Sequence, residues 1–474
     1  MITSWTGTDL ATITKGAWDK APPQAPVNQI EIDHRHLDQT GLFIALAGAH
    51  HDGHDFLSEL SANHCALVTT PCPTSKAHQL AVSDALDALH AIAKAAMSET
   101  NARKIAITGS VGKTSTKDAL ASLLQVFGVC HASRGNYNNH IGAPLSMART
   151  PDDAEMIVME MGMNHQGEIS PLSHLFDADI AIITKIADSH IGHFDSLEDI
   201  AHAKAEIFDG MTSGTAILPF DDTHYNLLHK AAIKRGLRSI SFGANDGADF
   251  QIIDQKPLTK GQELTIRNHL GGEDINVTIG LSAPHHGTTA MIALAVLDAL
   301  HLDWPKAASA FAALDEVEGR GNQISLLLGG RDVLLINDSY NAGPASMAAS
   351  LAHVAALPHA KKALILTDML ELGAKSDEAH EALITSIAAL APYQLILIGE
   401  AMGKIQHLIT GAHAITHYPT ATLAEASLSG DLSDSLSGCD LILVKGSNGS
   451  GAPQIAKHLL SFSVPSSFAL QGGA

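Results

Sequence analysis

The feature that most constrains this chain is a glycine-rich turn between an apolar segment and a helical one, in the sequence KIAITGSVGKTSTK at residues 104–117. Residues 104–108 have the pattern of a short buried strand, and apolar residues recur at helical spacing directly after the turn. Backbone amides in such a turn, together with the N-terminal end of the helix, bind an anion without help from side chains. The segment therefore predicts a parallel α/β sheet with a phosphate site at one strand end.

The turn also offers the side chains that a nucleotide triphosphate and its magnesium ion need. Lys113 supplies a positive charge for the outer phosphates, and Thr114 supplies a hydroxyl for the metal. The usual phosphate-loop pattern has a glycine five residues before Gly112, but Ile107 stands there, so the loop is a shorter variant. An ordinary glycine turn is the alternative, which this combination of residues disfavours. The predicted ATP-binding segment comprises Thr108, Gly109, Ser110, Val111, Gly112, Lys113, Thr114 and Ser115.

Composition limits the remaining function classes. The 474 residues suffice for two to four domains, and 45% hydrophobic against 17% charged residues is typical of a globular protein. Lys and Arg total 29 against 50 Asp and Glu, so the formal charge of −21 disfavours nucleic acid as a partner. No apolar run is long enough to span a bilayer, and we therefore expect a cytoplasmic protein without membrane insertion.

The spacing of cysteine and histidine predicts neither a disulfide framework nor a zinc site. The four cysteines, Cys65, Cys72, Cys130 and Cys439, are scattered along the chain. The one dense histidine cluster, HHDGH at residues 50–54, permits a metal site, but the pattern favours solvated loop histidines.

Three segments with different patterns follow one another along the chain. Residues 1–97 contain short apolar runs and end in a helical run, which predicts a small α/β domain. Residues 98–318 alternate strands with amphipathic helices, as in a mostly parallel sheet, and contain a small antiparallel addition near residues 215–280. Residues 319–474 repeat the alternation and predict a second doubly wound domain. The predicted strands of the second and third segments include residues 156–160, 180–185, 333–336, 363–367, 395–398 and 441–444.

Two polar residues follow neighbouring strands of the second segment. Glu160 ends the strand MIVME, and His190 follows the strand DIAIITK. Because ligands bind at the carboxyl ends of parallel strands, Glu160 is a candidate magnesium ligand beside the triphosphate. Whether His190 is a second ligand or an ordinary loop histidine is left open by the sequence.

Lys204 is placed by helical periodicity on the apolar face of a helix predicted at residues 198–211, because Ile200, Ile207 and Phe208 share that face. A buried amine is costly unless it is paired, neutral or modified. The alternative, slightly favoured by periodicity alone, is that the long side chain reaches water.

Polar residues also follow the strands of the third segment. Asp338 and Asn341 lie in the sequence NDSYN, Asp368 ends ALILTD, and Lys445 follows LILV. Each alone is more typical of an ordinary loop. Together they predict a substrate surface at one edge of the second sheet.

With these residues the chain resembles the Mur ligases of bacterial cell-wall synthesis over nearly its full length. The motifs NDSYNA and DMLELG resemble those of the family member that adds D-alanyl-D-alanine, whereas the phosphate loop is common to many other nucleotide-binding proteins. The motifs that carry the resemblance are DHRHLDQTGLFIALAGAHHDGHDF, TGSVGKTSTK, GNYNNHIGAPLS, MEMGMNHQGEI, AKAEIF, NDSYNAGPASM, DMLELG and VKGSN.

The resemblance implies an ATP-dependent acid–D-amino-acid ligase of peptidoglycan synthesis, in class 6.3.2. It would join D-alanyl-D-alanine to UDP-N-acetylmuramoyl-tripeptide through an acyl phosphate. It implies a UDP-sugar domain (residues 1–97), a central ATP-binding domain (98–318) and a Rossmann-like domain that closes over both (319–474), in a monomer. There are two alternatives. One is a related amide ligase, such as the enzyme that adds the third peptide residue or a folylpolyglutamate synthase. The other is a nucleotide-regulated binding protein.

The resemblance also implies roles for individual residues. Lys113, Glu160, His190 and Lys204 would be catalytic, with two Mg²⁺ held by Thr114, Glu160, His190 and a carbamylated Lys204. Further ATP contacts would come from Arg320, Asp338 and Asn341. Substrate contacts would come from Asp33, Arg35, Asp52, Gly53, His54, Asn136, Asn138 and Asn139, which displaces the metal interpretation of the histidine cluster.

The chain departs from the family pattern at three positions. Gly287 and Ala290 stand where relatives carry asparagines that contact adenine, and Asn448 stands where arginine is frequent. The sequence therefore leaves the adenine contacts unassigned.

Overall fold

A computed structural model describes residues 4–48, 51–188, 191–258, 260–328, 330–428, 436 and 438–461. Three sheets follow one another along the chain, and helices pack against each of them. The predicted fold class is thereby confirmed. His190, one of the predicted metal ligands, lies outside the described residues.

The first sheet is small and mostly parallel. Its elements are α1 (Gly7–Thr14), β1 (Ala17–Trp18), β2 (Ile30–Glu31), β3 (Leu42–Ile44), β4 (Cys65–Val68), β5 (His78–Ala81) and α2 (Ala85–Glu99). The strand order is β1-β5-β4-β3-β2, and only β1 pairs antiparallel. Asp84 starts α2 by accepting hydrogen bonds from the amides of Leu86 and Asp87, and the apolar face of this helix is buried.

The second sheet has nine strands and carries the glycine-rich turn. Its elements are β6 (Arg103–Thr108), α3 (Lys113–Leu124), β7 (Cys130–Ala132), α4 (Gly142–Ala148), β8 (Met156–Glu160), α5 (Ile169–Phe176), β9 (Ile180–Ile183), α6 (Leu197–Ala205), β10 (Thr215–Pro219), α7 (Tyr225–Lys234), β11 (Arg238–Gly243), β12 (Phe250–Pro257), β13 (Gln262–Asn268), β14 (Glu273–Ile279), α8 (His286–Ala299) and α9 (Ala308–Ala312). The order is β14-β13-β12-β11-β10-β9-β6-β8-β7. Strands from β7 to β12 are parallel, and only β13 and β14 pair antiparallel with their neighbours. The antiparallel addition predicted near residues 215–280 is therefore smaller than expected, because β10 and β11 are mostly buried runs that continue the parallel sheet.

Strand register positions the site. Glu160 pairs with Ile107, and Ile183 pairs with Thr108, so β6, β8 and β9 end at the same edge of the sheet. The turn after β6 therefore lies beside the carboxyl ends of both neighbouring strands, where α/β proteins bind ligands.

The third sheet is parallel except at one edge. Its elements are β15 (Asn322–Leu328), β16 (Arg331–Asp338), α10 (Pro344–Ala356), β17 (Lys362–Thr367), α11 (Ser376–Glu381), α12 (Ile384–Leu390), β18 (Gln394–Ile398), α13 (Glu400–Ile405), β19 (Ala414–Tyr418), α14 (Ala421–Leu428), β20 (Leu441–Lys445) and α15 (Ala452–Leu460). The order is β15-β16-β20-β17-β18-β19, with β15 antiparallel to β16.

The structure corrects the sequence interpretation in two places. The helix predicted at residues 198–211 ends as an α-helix at Ala205 and continues as one tighter turn, Glu206–Phe208. In that turn the Glu206 carboxylate accepts hydrogen bonds from the amides of Gly167, Ile169 and Ser170, at the start of α5. Strands β15 and β19 were not predicted, because both are edge strands with half-exposed residues and lack a continuous apolar run.

A largely buried ion pair joins the first sheet to the second. Arg149, which follows α4, pairs with Glu31 of β2 and donates to the carbonyl oxygen of Ile30 at 2.7 Å. Helix α2 also packs along α4. The small first sheet therefore has a fixed position beside the larger one. Among the described helices, none is long and apolar enough to cross a membrane.

Candidate active site

A cavity of about 950 Å³ lies between the second and third sheets, at the carboxyl ends of their strands. The turn at residues 110–116 forms one wall, together with Glu160 and Asn138. Strand-end residues of the third sheet, Asp338 and Lys445, form the facing wall. Residues predicted separately on the two sheets are therefore brought to one space.

The glycine-rich turn has the geometry of a phosphate cradle. Gly109 and Gly112 adopt φ values of 149° and 86°, and α3 begins at Lys113 without a side-chain cap, which leaves its first amides for a ligand. Ser110 fixes the turn to the segment after β9, because its hydroxyl donates to the carbonyl oxygen of Ala187 at 2.8 Å and accepts from the amide of Ala187 at 2.9 Å. The cradle is therefore held in shape by bonds within the protein.

Lys113 bends back over the turn. Its ammonium group donates to the carbonyl oxygen of Gly109 at 2.7 Å. Removal from water lowers the pKa of Lys113; the nearby Glu160 raises it and Arg320 lowers it further. An anion in the cradle would offer this cation a stronger partner than a neutral carbonyl.

The two glycines of the turn differ in what a side chain would meet, and this difference gives a testable prediction. A Cβ at Gly109 would lie 1.9 Å from Oγ1 of Thr184, whereas a Cβ at Gly112 would meet no atom within 4 Å. We expect Gly112→Ala to weaken ATP binding by about five-fold, because only the positive φ is strained, at a cost of about 1 kcal/mol. Gly109→Ala should abolish detectable binding, because Thr184 or the turn must move.

Equilibrium titration of the two variants with ATP, with melting temperatures as a control for folding, measures this difference. Equal affinities for the two alanine variants would show that the contact with Thr184 does not hold the turn in place.

Glu160 is the centre of a buried polar cluster beside the cradle. It is 2% exposed, its Oε2 accepts from the Thr114 hydroxyl at 2.7 Å, and its Oε1 accepts from Asn138 Nδ2 at 2.7 Å. Arg320 donates to the Thr114 hydroxyl at 2.9 Å, and its guanidinium lies over the ring of Tyr340, 3.9 Å from the ring centroid. The cluster therefore joins residues of both sheets.

The donor set of this cluster fits magnesium. Mg²⁺ takes one or two protein oxygens and completes its shell with phosphate oxygens and water, and Glu160 and Thr114 offer a carboxylate and a hydroxyl oxygen next to the cradle. The described part of the chain contains no group of three or more His, Cys, Asp or Glu side chains placed to bind a metal.

Lys204 is buried beside the same cluster. Its side chain is 2% exposed, so the alternative in which it reaches water is wrong. Burial first, and then the charge of Lys113, hold its pKa well below the ordinary value, while Glu160 acts in the opposite direction. An amine in this position is stable as a neutral or modified group.

The polar residues of the third sheet are engaged with one another at the cavity. Lys445 is 2% exposed and donates to Asp338 Oδ2 at 2.7 Å and to the carbonyl oxygen of Asn341 at 3.2 Å. Asp338 also accepts from the hydroxyl of Ser350 at 2.5 Å. Asp368, by contrast, caps α13 by accepting from the amides of Ala401 and Met402.

The three predicted substrate asparagines have different environments. Asn136 is exposed at the cavity wall, and Asn138 holds Glu160. Asn139 accepts from the amides of Ile141 and Gly142, at the start of α4. Asn139 thus shapes the loop, whereas Asn136 lines the cavity.

The predicted substrate residues of the first sheet lie away from the cavity lining, and most are bonded locally. Arg35 donates to Asp33 at 2.9 and 2.6 Å, and these bonds hold the pKa of Asp33 far below its usual value. The ring of His54 contacts Asp52 Oδ1 at 2.6 Å and the hydroxyl of Thr69 at 3.0 Å. A Cβ at Gly53 would lie 2.8 Å from the Cα of Ala45, so a larger residue would not fit there.

Sequence reasoning missed several cavity residues. His285, His286 and His353 line it, and burial lowers the pKa of each of the three rings. Gln255 of β12 donates to the carbonyl oxygen of Pro284 at 2.7 Å, beside the Gly287 that departs from the family pattern. In the sequence, the only indication of this site was the pair of adjacent histidines at the start of a helix. Their burial could not be predicted, because it depends on contacts with distant strands.

Comparison with known families gives matches to two models. The model described as Mur ligase middle domain matches residues 107–297, and the model described as Mur ligase, glutamate ligase domain, matches residues 319–448.

Curated relatives and solved structures match over nearly the full length. The UDP-N-acetylmuramoyl-tripeptide–D-alanyl-D-alanine ligase of Rickettsia prowazekii is 32% identical over 89% of this chain and 93% of its own length. The enzyme of the same name from Bacillus subtilis is also 32% identical, over 92% of this chain and 94% of its own. A crystal structure of MurF from Acinetobacter baumannii superposes with a TM-score of 0.84 and 28% identity, covering 97% of this chain and 99% of that one.

Proposed function

The chain belongs to the Mur ligase family, and from this premise we propose that it joins D-alanyl-D-alanine to UDP-N-acetylmuramoyl-tripeptide at the expense of ATP, in peptidoglycan precursor synthesis. The names of the full-length relatives support this reaction. The observation that carries it in the structure is the single cavity in which the phosphate cradle, Glu160 and the strand ends of the third sheet meet.

The chemistry of the site follows from the weakness of a carboxylate as an electrophile. ATP transfers its γ-phosphoryl group to the terminal carboxylate of the tripeptide, which gives an acyl phosphate and ADP. The amine of D-alanyl-D-alanine then attacks the acyl carbon, loses a proton, and phosphate leaves. Because the acyl phosphate reacts with water, the cavity must exclude water between the two steps, as closure of the third sheet over the second would achieve.

Lys113 is proposed to leave the Gly109 carbonyl and bind the transferred phosphoryl group, where its charge stabilises the transition state. Ser110, Val111, Gly112 and Ser115 line the cavity and would contribute the cradle, and Arg320, Asp338 and Asn341 would contact ATP from the opposite side. Thr108 and Gly109 do not line the cavity; Thr108 is fully buried, and both would support the cradle from the end of β6. Arg320 already reaches Thr114, which supports this assignment.

Two magnesium ions are proposed at the cluster, one held by Thr114 and Glu160 and the other by His190 and Lys204. Bound there, magnesium would neutralise charge on the triphosphate. Lys204 would act as a carbamate, formed when its neutral amine adds carbon dioxide and releases one proton, which turns a poorly solvated amine into an oxygen ligand. Its burial and its lowered pKa support this modification.

The division of labour along the chain is also a proposal. Residues 1–97 would hold the UDP-sugar with Asp33, Arg35, Asp52, Gly53 and His54, residues 98–318 would hold ATP, and residues 319–474 would close over both. Asn136 and Asn138, which line the cavity, would face the tripeptide end, and Asn139 would hold the loop that carries them. The ion pair of Arg149 with Glu31 supports a fixed arrangement of the first two units.

Isotope transfer tests the activation step. Both oxygens of the terminal carboxylate of the tripeptide are labelled with ¹⁸O. One ¹⁸O atom should then appear in each inorganic phosphate released, and the carbonyl of the newly formed amide should retain the other. Mass spectrometry of the phosphate gives the result. Unlabelled phosphate, formed together with the amide, would contradict an acyl phosphate.

A further inference from the structure

We propose that Lys117 is a positioning residue that holds the substrate-side loop at residues 133–139 against the ATP-binding helix. The inference rests on the proposed function, since it concerns the geometry of the same site. Lys117 lies one helical turn after Lys113 on α3 and is 1% exposed. Unlike Lys113, it does not line the cavity.

The ammonium group of Lys117 is directed at backbone oxygens of the loop. It donates to the carbonyl of Ser133 at 2.5 Å and reaches that of Gly135 at 3.4 Å, and it pairs with Asp118 Oδ1 at 2.8 Å. Two of these oxygens belong to the backbone of the loop, and the third is a carboxylate oxygen of the next residue. A buried lysine that donates hydrogen bonds to two carbonyls of one loop fixes the position of that loop.

From this anchor the loop reaches the reacting centre. The hydroxyl of Ser133 accepts from the amide of Glu160 at 3.3 Å. Asn138, three residues after Gly135, donates to the Glu160 carboxylate at 2.7 Å, and its backbone carbonyl accepts from the amide of Gly162 at 2.8 Å. The loop that Lys117 fixes therefore holds both the backbone and the side chain of Glu160.

A direct role of Lys117 in phosphate binding is not supported by its surroundings. The charges that act on Lys113 are those of Glu160 and Arg320. Lys117 is instead bonded to carbonyl oxygens of the loop and does not line the cavity, so its loss should release Asn136 and Asn138 while leaving the cradle intact.

The test compares Lys117→Met with a matched lysine, Lys94→Met, which is exposed on α2. In the ligand-free protein, hydrogen–deuterium exchange of amides 133–139 should rise about ten-fold in Lys117→Met, and exchange of amides 108–115 should change less than about three-fold. In steady-state kinetics, the KM for UDP-muramyl-tripeptide should rise about ten-fold. The KM for ATP should rise less, by no more than about three-fold, because the cradle and the bond from Thr114 to Glu160 do not depend on the loop. Lys117→Arg, which keeps several donors, should recover most of the difference, and Lys94→Met should show none.

Unchanged exchange in the loop would overturn the proposal, and so would equal increases in both KM values, which a general loss of structure would produce. If Lys117→Met does not fold, Lys117→Gln keeps one shorter donor and takes its place in both measurements. The exchange measurement requires no substrate. Failure of the unsubstituted protein to turn over would therefore refute the proposed function while leaving the role of Lys117 separately tested.

Discussion

Lys113→Met is expected to lower kcat by about 10³-fold or more, while the melting temperature stays close to that of the unsubstituted protein. Methionine keeps most of the length of the side chain but removes the charge that would stabilise the transferred phosphoryl group. Among the described contacts, the Lys113 ammonium donates a hydrogen bond only to the neutral carbonyl of Gly109. Removing the ammonium therefore leaves no charged group without a hydrogen-bond partner.

The measurement is single-turnover formation of ADP with both acceptor substrates present. Lys230→Met, on the exposed side of α7, is the matched control and should retain full activity. If Lys113→Met lost less than about ten-fold in kcat, the assignment of Lys113 to the phosphoryl group would be wrong.

Lys204→Ala is expected to lower kcat by about 10²- to 10³-fold, and millimolar formate or acetate should restore part of the activity. The substitution opens a buried space beside Glu160 and removes the oxygen ligand that a carbamate would provide. A small carboxylate can occupy that space and supply the same kind of oxygen. Restoration by acetate but not by a neutral amide such as acetamide would identify charge as the missing property.

Lys234→Ala, which removes an exposed lysine on α7, is the control and should neither lose activity nor respond to acetate. Full activity of Lys204→Ala without any added carboxylate would end the proposed role of Lys204. A loss that no small carboxylate reverses, with a lowered melting temperature, would point to packing alone.

Much of the second sheet could be predicted from the sequence because its signals are local. An apolar run, two glycines and a helical repeat define β6, the turn and α3 within about twenty residues. Glu160 could be placed beside them because parallel strands end at one edge. The edge strands β15 and β19 could not be predicted, because half-exposed strands contain polar residues and their sequences therefore resemble those of loops.

The detailed contacts of the site were beyond sequence reasoning because they join distant positions. Lys445 and Asp338 are paired although 107 residues separate them, and Arg320 reaches Thr114 across 206 residues. Periodicity placed Lys204 on an apolar face but could not decide whether its amine reaches water. The buried position of Lys117 could not be predicted, because a lysine in a phosphate-binding helix has no local signal that distinguishes a buried residue from a solvated one.

The most direct test of the account is the dependence of phosphate release on the two acceptor substrates. Purified protein is supplied with ATP and Mg²⁺ alone, with UDP-N-acetylmuramoyl-tripeptide, with D-alanyl-D-alanine, and with both. We predict sustained release only with both substrates, at one phosphate per amide bond detected by mass spectrometry. Sustained release that needs neither substrate, or that occurs with both but without amide formation, would contradict the account.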